Sequence, residues 1–196
     1  MKPFNNWDKV TSISDRPKLP VGGYVCKILG AKINQYNGRN GEFGKLDISL
    51  DIYEGNYNGF YADDYRAQQR EDKKWGCVYS LYMPTEDGSE KDEFTKRKFK
   101  TFTEAVEDSN PGYHWDWNED GLKGKIVGIV FRNEQWEWDG KTGWKVKPFI
   151  PKSADDIREG NFKIPDDKPV DTGNSVNNNT SSSGGSILDD DGDLPF

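Results

Sequence analysis

Leu46, Ile48, Leu50 and Ile52 are separated one by one by Lys45, Asp47, Ser49, Asp51 and Tyr53. A strict period of two fits a pleated strand with one buried face and cannot follow the 3.6-residue stripe of a helix. The run predicts a strand over 45–53 that sets its aliphatic side on a core and shows its polar side to water. Whatever this chain folds into has a sheet here, and the rest of the sequence is read by asking what can join it.

The first twenty residues carry Pro3, Pro17 and Pro20 with little periodicity, which predicts an irregular lead-in with Phe4 and Trp7 as anchors. Gly22-Gly23 opens a strand over Tyr24–Ile33, where Cys26 and Ile28 alternate with Lys27 and Leu29 and Gly30 permits a bulge. Asn37-Gly38-Arg39-Asn40-Gly41 has the composition of a hairpin loop leading into the 45–53 strand. From 54 to 75 the aromatic residues follow neither a period of two nor one of 3.6, so a long excursion between strands is expected. A strand resumes over Cys77–Met83 and stops at Pro84. Phe94, Phe99, Phe102 and Val106 recur at helical spacing and predict one helix over Asp92–Glu107, ended by Asn110-Pro111-Gly112. A long strand over Leu122–Trp138, an Asp139-Gly140 turn and a return arm over Gly143–Lys152 follow, and Ile157–Ile164 is expected to pack on the body. The chain is therefore mainly β. Three strands, one helix and two strands is the order of a single OB-like five-stranded Greek-key barrel, which places its helix between strands 3 and 4.

Charge divides the chain. The net charge is −7, but seven acids and one lysine fall from Asp166 onward, which leaves the preceding residues at −1. Any groove for an anionic polymer must then be a local patch rather than a property of the whole surface. The expected division is a body over 1–165 and a flexible linker with an acidic tail over 166–196. The two cysteines, Cys26 and Cys77, have neither metal-ligand spacing nor a disulfide framework around them, and each lies in an apolar strand, so buried free thiols are expected. No signal peptide and no apolar run long enough to span a bilayer is read in the sequence, so a cytoplasmic location without a membrane partner is expected.

Gly173 to Ser186 contains Gly, Asn, Ser and Thr with a single valine, a composition that cannot bury enough apolar surface to offset its ordering entropy. Beyond it come Asp189, Asp190, Asp191, Gly192 and Asp193, then Leu194, Pro195 and Phe196. A solvated acidic tail explains the carboxylates but not the apolar ending. Proline restricts the free end, so less entropy is lost if a partner captures the Phe196 ring and the terminal carboxylate together. This ending resembles the acidic tip of bacterial and bacteriophage single-stranded DNA-binding proteins. Asp51-Ile52-Tyr53-Glu54-Gly55, Asn110-Pro111-Gly112-Tyr113, Leu122-Lys123-Gly124-Lys125 and Ile157-Arg158-Glu159-Gly160 are also similar to runs in phage-encoded replication proteins of Gram-positive hosts. The resemblance implies a body of OB type that coats single strands without strong sequence preference. It also implies a tip, Asp189 to Phe196, that recruits a DNA polymerase, helicase, primase or recombinase in the cytoplasm of a bacterial host cell. A recombination or annealing factor, or a protein-only replication adaptor whose body does not coat DNA, is the alternative. A homo-oligomer stays open.

Binding unpaired nucleic acid needs cations along the phosphates and ring faces under the bases. Three stretches offer both. Tyr36, Arg39, Phe43 and Lys45 surround the first hairpin; Tyr57, Tyr61, Arg66, Arg70, Lys73, Lys74 and Trp75 lie in the excursion; Trp136, Trp138, Trp144, Lys145 and Lys147 lie in the last hairpin. Loops after the first and fourth strands flank the ligand face of an OB fold, which favours the first and third sets. Ordinary strand packing is the competing account of each ring. Catalysis finds little footing: His114 is the single histidine, and Gly140-Lys141-Thr142 lacks the upstream glycine of a phosphate loop. Asp47, Asp51 and Glu54 alternate with core residues, so a solvated strand face is expected for them rather than a metal site. The expectation is a binding protein without a cofactor, not an enzyme.

Overall fold

The computed structural model describes residues 2–9, 18–38 and 41–170. Five strands form one antiparallel sheet: β1 (Gly22–Gly38), β2 (Gly41–Ile52), β3 (Val78–Tyr82), β4 (Ile126–Trp138) and β5 (Lys141–Lys152), in the spatial order β3-β2-β1-β4-β5. Three helices accompany them: α1 (Phe60–Ala67) between β2 and β3, α2 (Glu90–Ser109) between β3 and β4, and α3 (Ala154–Glu159) after β5. The mainly β class agrees with the sequence and α2 lies between β3 and β4 as expected, while α1 and α3 are additional to the single expected helix. The closed barrel does not appear: β3 and β5 are the two edges of an open sheet, and no ladder joins them among the described residues. Some Cα atoms of the two edges do come within 8 Å of each other.

One irregularity sets which way β1 faces. Cys26 pairs with Ile52 and Ile28 with Leu50, but after Leu29 the register shifts, so that Gly30 pairs with Ser49 and Ala31 with Ile48. Before the bulge the even residues Cys26 and Ile28 are buried; after it the odd residues Ala31 and Ile33 share the side of Ile48 and Leu46. An extra residue in a strand reverses the alternation beyond it. Lys32, Asn34 and Tyr36 therefore stand on the side away from the core. Had the alternation continued unbroken, they would have pointed into it.

The core lies between the inner side of the sheet and α2. Ile28, Ile48, Leu50, Val127, Ile129 and Phe131 meet Phe102 and Val106, and all eight are essentially inaccessible to water. Ser89 caps α2 by accepting the Asp92 N–H at 3.1 Å, so the helix begins at Glu90, two residues before the predicted start. Asp92 in turn accepts the N–H groups of Thr85 and Glu86, which fixes the loop from β3. At the other end Asn110 donates to the carbonyls of Val106 and Ile126 and accepts the Ile126 N–H, which ties the helix terminus to β4. Cys26 and Cys77 are buried free thiols. Desolvation pushes the Cys77 thiol up to about 12 and the Cys26 thiol well above its usual range.

The outer side of the sheet is covered at one end only. α3 crosses β4 where Gly128 has no side chain; a Cβ there would lie 2.4 Å from the Ser153 carbonyl and 2.5 Å from Ile157. Phe162 packs likewise over Gly23. Val25 and Val130 are buried under this cover. The chain continues along β4, with the Lys168 N–H donating to Asn133 and the Gln135 N–H to Lys168, and the Val170 N–H reaches the side chain of Gln135. The expected packing of Ile157–Ile164 is thus present. The part of the outer side formed by β1 beyond the bulge, β2 and β3 is left uncovered by these elements.

Three expectations need correction. Phe4 and Trp7 lean on each other, with centroids 6.0 Å apart, and are more than three-fifths exposed, so they do not anchor the lead-in. The excursion over 54–75 contains a helix, α1, whose aromatic residues face two sides. Asp51 is not solvated: its carboxylate is buried and accepts the N–H groups of Ile52, Tyr61 and Ala62 at 2.9, 3.0 and 3.3 Å. Gly59, at the start of α1, has no side chain with which to cap the helix, so Asp51 satisfies two of its orphan donors from the neighbouring strand.

Candidate functional site

Cross-strand partners project to the same side of a sheet, so the register spells out the uncovered outer face in rows. Gly30, Ser49 and Val78 make one row, and Lys32, Asp47 and Ser80 the next. Asn34, Lys45 and Tyr82 follow, and Tyr36 with Phe43 makes the last row before the β1–β2 loop. From Ser49 to Phe43 the rows span about 20 Å of strand.

At the loop end the rings gather around one cation. Tyr36 is stacked on Phe43, with centroids 5.7 Å apart and planes 18° from parallel, and Phe43 meets Tyr82 at 5.4 Å. The Lys45 ammonium lies 4.3 Å from the Tyr82 centroid, 5.6 Å from that of Phe43 and 5.7 Å from that of Tyr36. Asp47 organises the row beside them. Its carboxylate accepts Asn34 Nδ2 at 2.7 Å and the hydroxyls of Tyr36 and Ser80, one from each flanking strand. Donating to that carboxylate raises the Tyr36 phenol above its ordinary value, so the ring stays neutral and fixed in orientation. The result is a partly exposed aromatic surface of set geometry with a positive charge above it. Such a surface suits a planar, π-bearing group linked to an anion.

The excursion contributes to the opposite end of the same face. Leu29, Gly30 and Ser49 form the floor, and Tyr65, Lys73 and Trp75 the rim, of an open depression of about 430 Å³. Trp75 Nε1 donates to the Leu50 carbonyl at 2.8 Å, and its ring centroid lies 5.6 Å from that of Tyr65. The other expected residues of this stretch separate from it. Tyr61 is buried over Phe131, its phenol raised far above its usual range by desolvation, and Tyr57 sits edge-on to Tyr24 and Phe60. Both are core residues with little ring face to offer. Arg66 is paired with Asp63, Arg70 donates to Gln68, and Lys74 is exposed.

The last hairpin does not join this surface in the ladder. β4 pairs with β1 only over 126–131, so its turn at Asp139-Gly140, both with positive φ, extends past Gly22, the end of β1 opposite the β1–β2 loop. Lys145 pairs with Glu134, Lys147 with Arg132 and Trp136 with Gly143, so the two lysines share a face with Trp136 and Trp138. Trp144 pairs with Gln135 and points to the other face. Lys147 is also held 3.2 Å from Glu134, which itself binds the buried Arg132. The hairpin is thus an exposed tryptophan arm on which Arg132 and Lys147 share the Glu134 carboxylate while Lys141 and Lys145 are exposed.

Arg39 and the tip residues Asp189 to Phe196 lie outside the described residues. The three carboxylates considered as metal ligands serve separate partners: Asp47 the outer face, Asp51 the α1 terminus, and Glu54 a pair with Arg158 at 2.6 Å. Among the described residues no helix is long and apolar enough to cross a membrane. Tyr82, Asn34, Lys32 and Tyr65 belong to the outer face and were not singled out from the sequence. Alternation from Tyr79 and Leu81 would have found Tyr82. Asn34 and Lys32 depend on the phase change at Leu29. Compared with known proteins, the sequence matches no family model and no curated protein.

Proposed function

We propose that the protein binds single-stranded DNA across the outer face of β1, β2 and β3, without strong sequence preference. The observation that carries this reading is the ring cluster Tyr36, Phe43 and Tyr82 around Lys45. Bases stack on rings whatever their identity, at roughly 1–3 kcal/mol each, while a cation tracks the phosphate between them. A duplex hides its base faces and gains only the charge, of which this near-neutral body has little to spare. The order β3-β2-β1-β4-β5 with α2 between β3 and β4 supports an OB-like reading of the open sheet, and OB folds bind oligonucleotides on the face of their strands 2 and 3. The acidic tip from Asp189 to Phe196 then recruits a replication or recombination protein whose apolar pocket is rimmed by cations, in the manner of the phage proteins it resembles.

A gel shift with matched single- and double-stranded oligonucleotides at two salt concentrations tests the reading. Single strands should be retained more tightly, with a log–log salt slope of about −0.7 per phosphate neutralised. Equal affinity for duplex and single strand contradicts it.

A further inference from the structure

We infer that the depression beneath Trp75 is a pocket for one unpaired nucleobase, an inference that rests on reading the outer face as a single-stranded DNA interface. Its floor exists because of the β1 bulge. Leu29 and Gly30 both turn outward there, and a Cβ on Gly30 would meet nothing within 4 Å, so a space opens directly over the strand. The walls are set in place before any ligand arrives. Trp75 is held by its hydrogen bond to Leu50 and by its tilted contact with Tyr65, so capturing a planar ring between indole and floor costs little side-chain entropy.

The polar groups are those a nucleotide needs. Lys73 Nζ donates to the Arg66 carbonyl at 3.3 Å and lies 5.7 Å from the Tyr65 centroid, which leaves a cation at the rim for a phosphate. Ser49 brings a hydroxyl to the floor. Ser49 lies close to the platform: Lys45 is four residues away on the same strand and the same side, about 14 Å. A strand stacked on Tyr36, Phe43 and Tyr82 can therefore run on to this pocket without leaving the face. A base in a duplex cannot enter. The pocket would favour unpaired strands more sharply than stacking alone.

Gly30→Leu fills the space while keeping the backbone, since this glycine has no left-handed φ. Affinity is measured for a deoxythymidine homopolymer and for an abasic strand of equal length, with wild type, Gly30→Leu and Lys45→Ala. The expected result is about a tenfold loss for Gly30→Leu on the homopolymer, within the range of one lost stacked base, and no change on the abasic strand. If Gly30→Leu matches wild type on the homopolymer while Lys45→Ala weakens it, the pocket inference is overturned and the outer face stands. If Gly30→Leu weakens both strands equally, the pocket inference is also overturned. If wild type binds neither strand, both readings fall. Should Gly30→Leu not fold, ultraviolet crosslinking of wild type to a 5-iodouracil oligonucleotide decides instead. A crosslink at Tyr65 or Trp75 supports the pocket, and crosslinks confined to Tyr36, Phe43, Tyr82 or the β4–β5 tryptophans overturn it.

Discussion

The Lys45 ammonium stands 4.3 Å from the centre of the Tyr82 ring, on the partner strand that the register sets directly opposite. In sequence the two are 37 residues apart, with the whole α1 excursion between them. The sheet brings them together because β3 adds to the free edge of β2, and Tyr36 and Phe43 complete the group from the β1 side. A cation over rings gains about 0.5–1 kcal/mol at exposed sites, which helps hold Lys45 against the three rings.

Asp51→Ala should destabilise the fold by about 2 kcal/mol, because it removes a cap and leaves the buried N–H groups of Tyr61 and Ala62 without an acceptor. The urea midpoint should fall by about 1 M. Asp51→Asn, which retains one acceptor oxygen, should lose less. Equal stability of Asp51→Ala and wild type would show that Asp51 does not hold α1.

Arg158 hydrogen-bonds the Glu54 carboxylate and holds its proton affinity below the usual carboxylate range. A group with a depressed folded value contributes stability that is complete above its unfolded value, about 4.3, and is lost as pH falls through the folded one. The pair is partly exposed, so the contribution is at most about 1 kcal/mol. Thermal unfolding followed from pH 6 to pH 3 should therefore show a shallower acid decline in Glu54→Gln than in wild type. Parallel declines would remove this pair as a source of acid sensitivity.

How much of this was legible beforehand depended on whether a local rule was enough. The strand over 45–53, the β4–β5 turn at Asp139-Gly140 and α2 follow from period and turn chemistry, and all three are present. The direction of Tyr36 is not a local property. It depends on a single extra residue at Leu29, and Gly30 marks where a bulge is permitted but not that the phase reverses. Asp51 obeyed the alternation and still became buried, because Gly59 leaves the end of α1 without a cap of its own. The rings of the excursion look alike in sequence. Tertiary packing sends Tyr57 and Tyr61 inward and leaves Tyr65 and Trp75 at the edge of the outer face.

Removing Asp189–Phe196 should tighten DNA binding at low salt, with the gain shrinking as salt rises and screens the tail from the body. On the proposed reading, the four aspartates of the tip, Asp189, Asp190, Asp191 and Asp193, compete for the same cations as phosphates do. Phe196→Ala should leave DNA affinity unchanged and abolish recruitment of a partner. Unchanged affinity after truncation, measured at low salt, would limit the tip to recruitment.

The most direct measurement is the affinity of a labelled deoxythymidine homopolymer, read by fluorescence anisotropy, for wild type and for Lys45→Ala combined with Phe43→Ala. The double variant removes a ring and the central cation from a partly exposed surface, so circular dichroism should show the fold intact. Affinity should fall by at least tenfold, and the salt slope should lose about 0.7, the share of one phosphate. A folded double variant that binds the homopolymer as tightly as wild type, with the same slope, contradicts the outer face of β1, β2 and β3 as the interface.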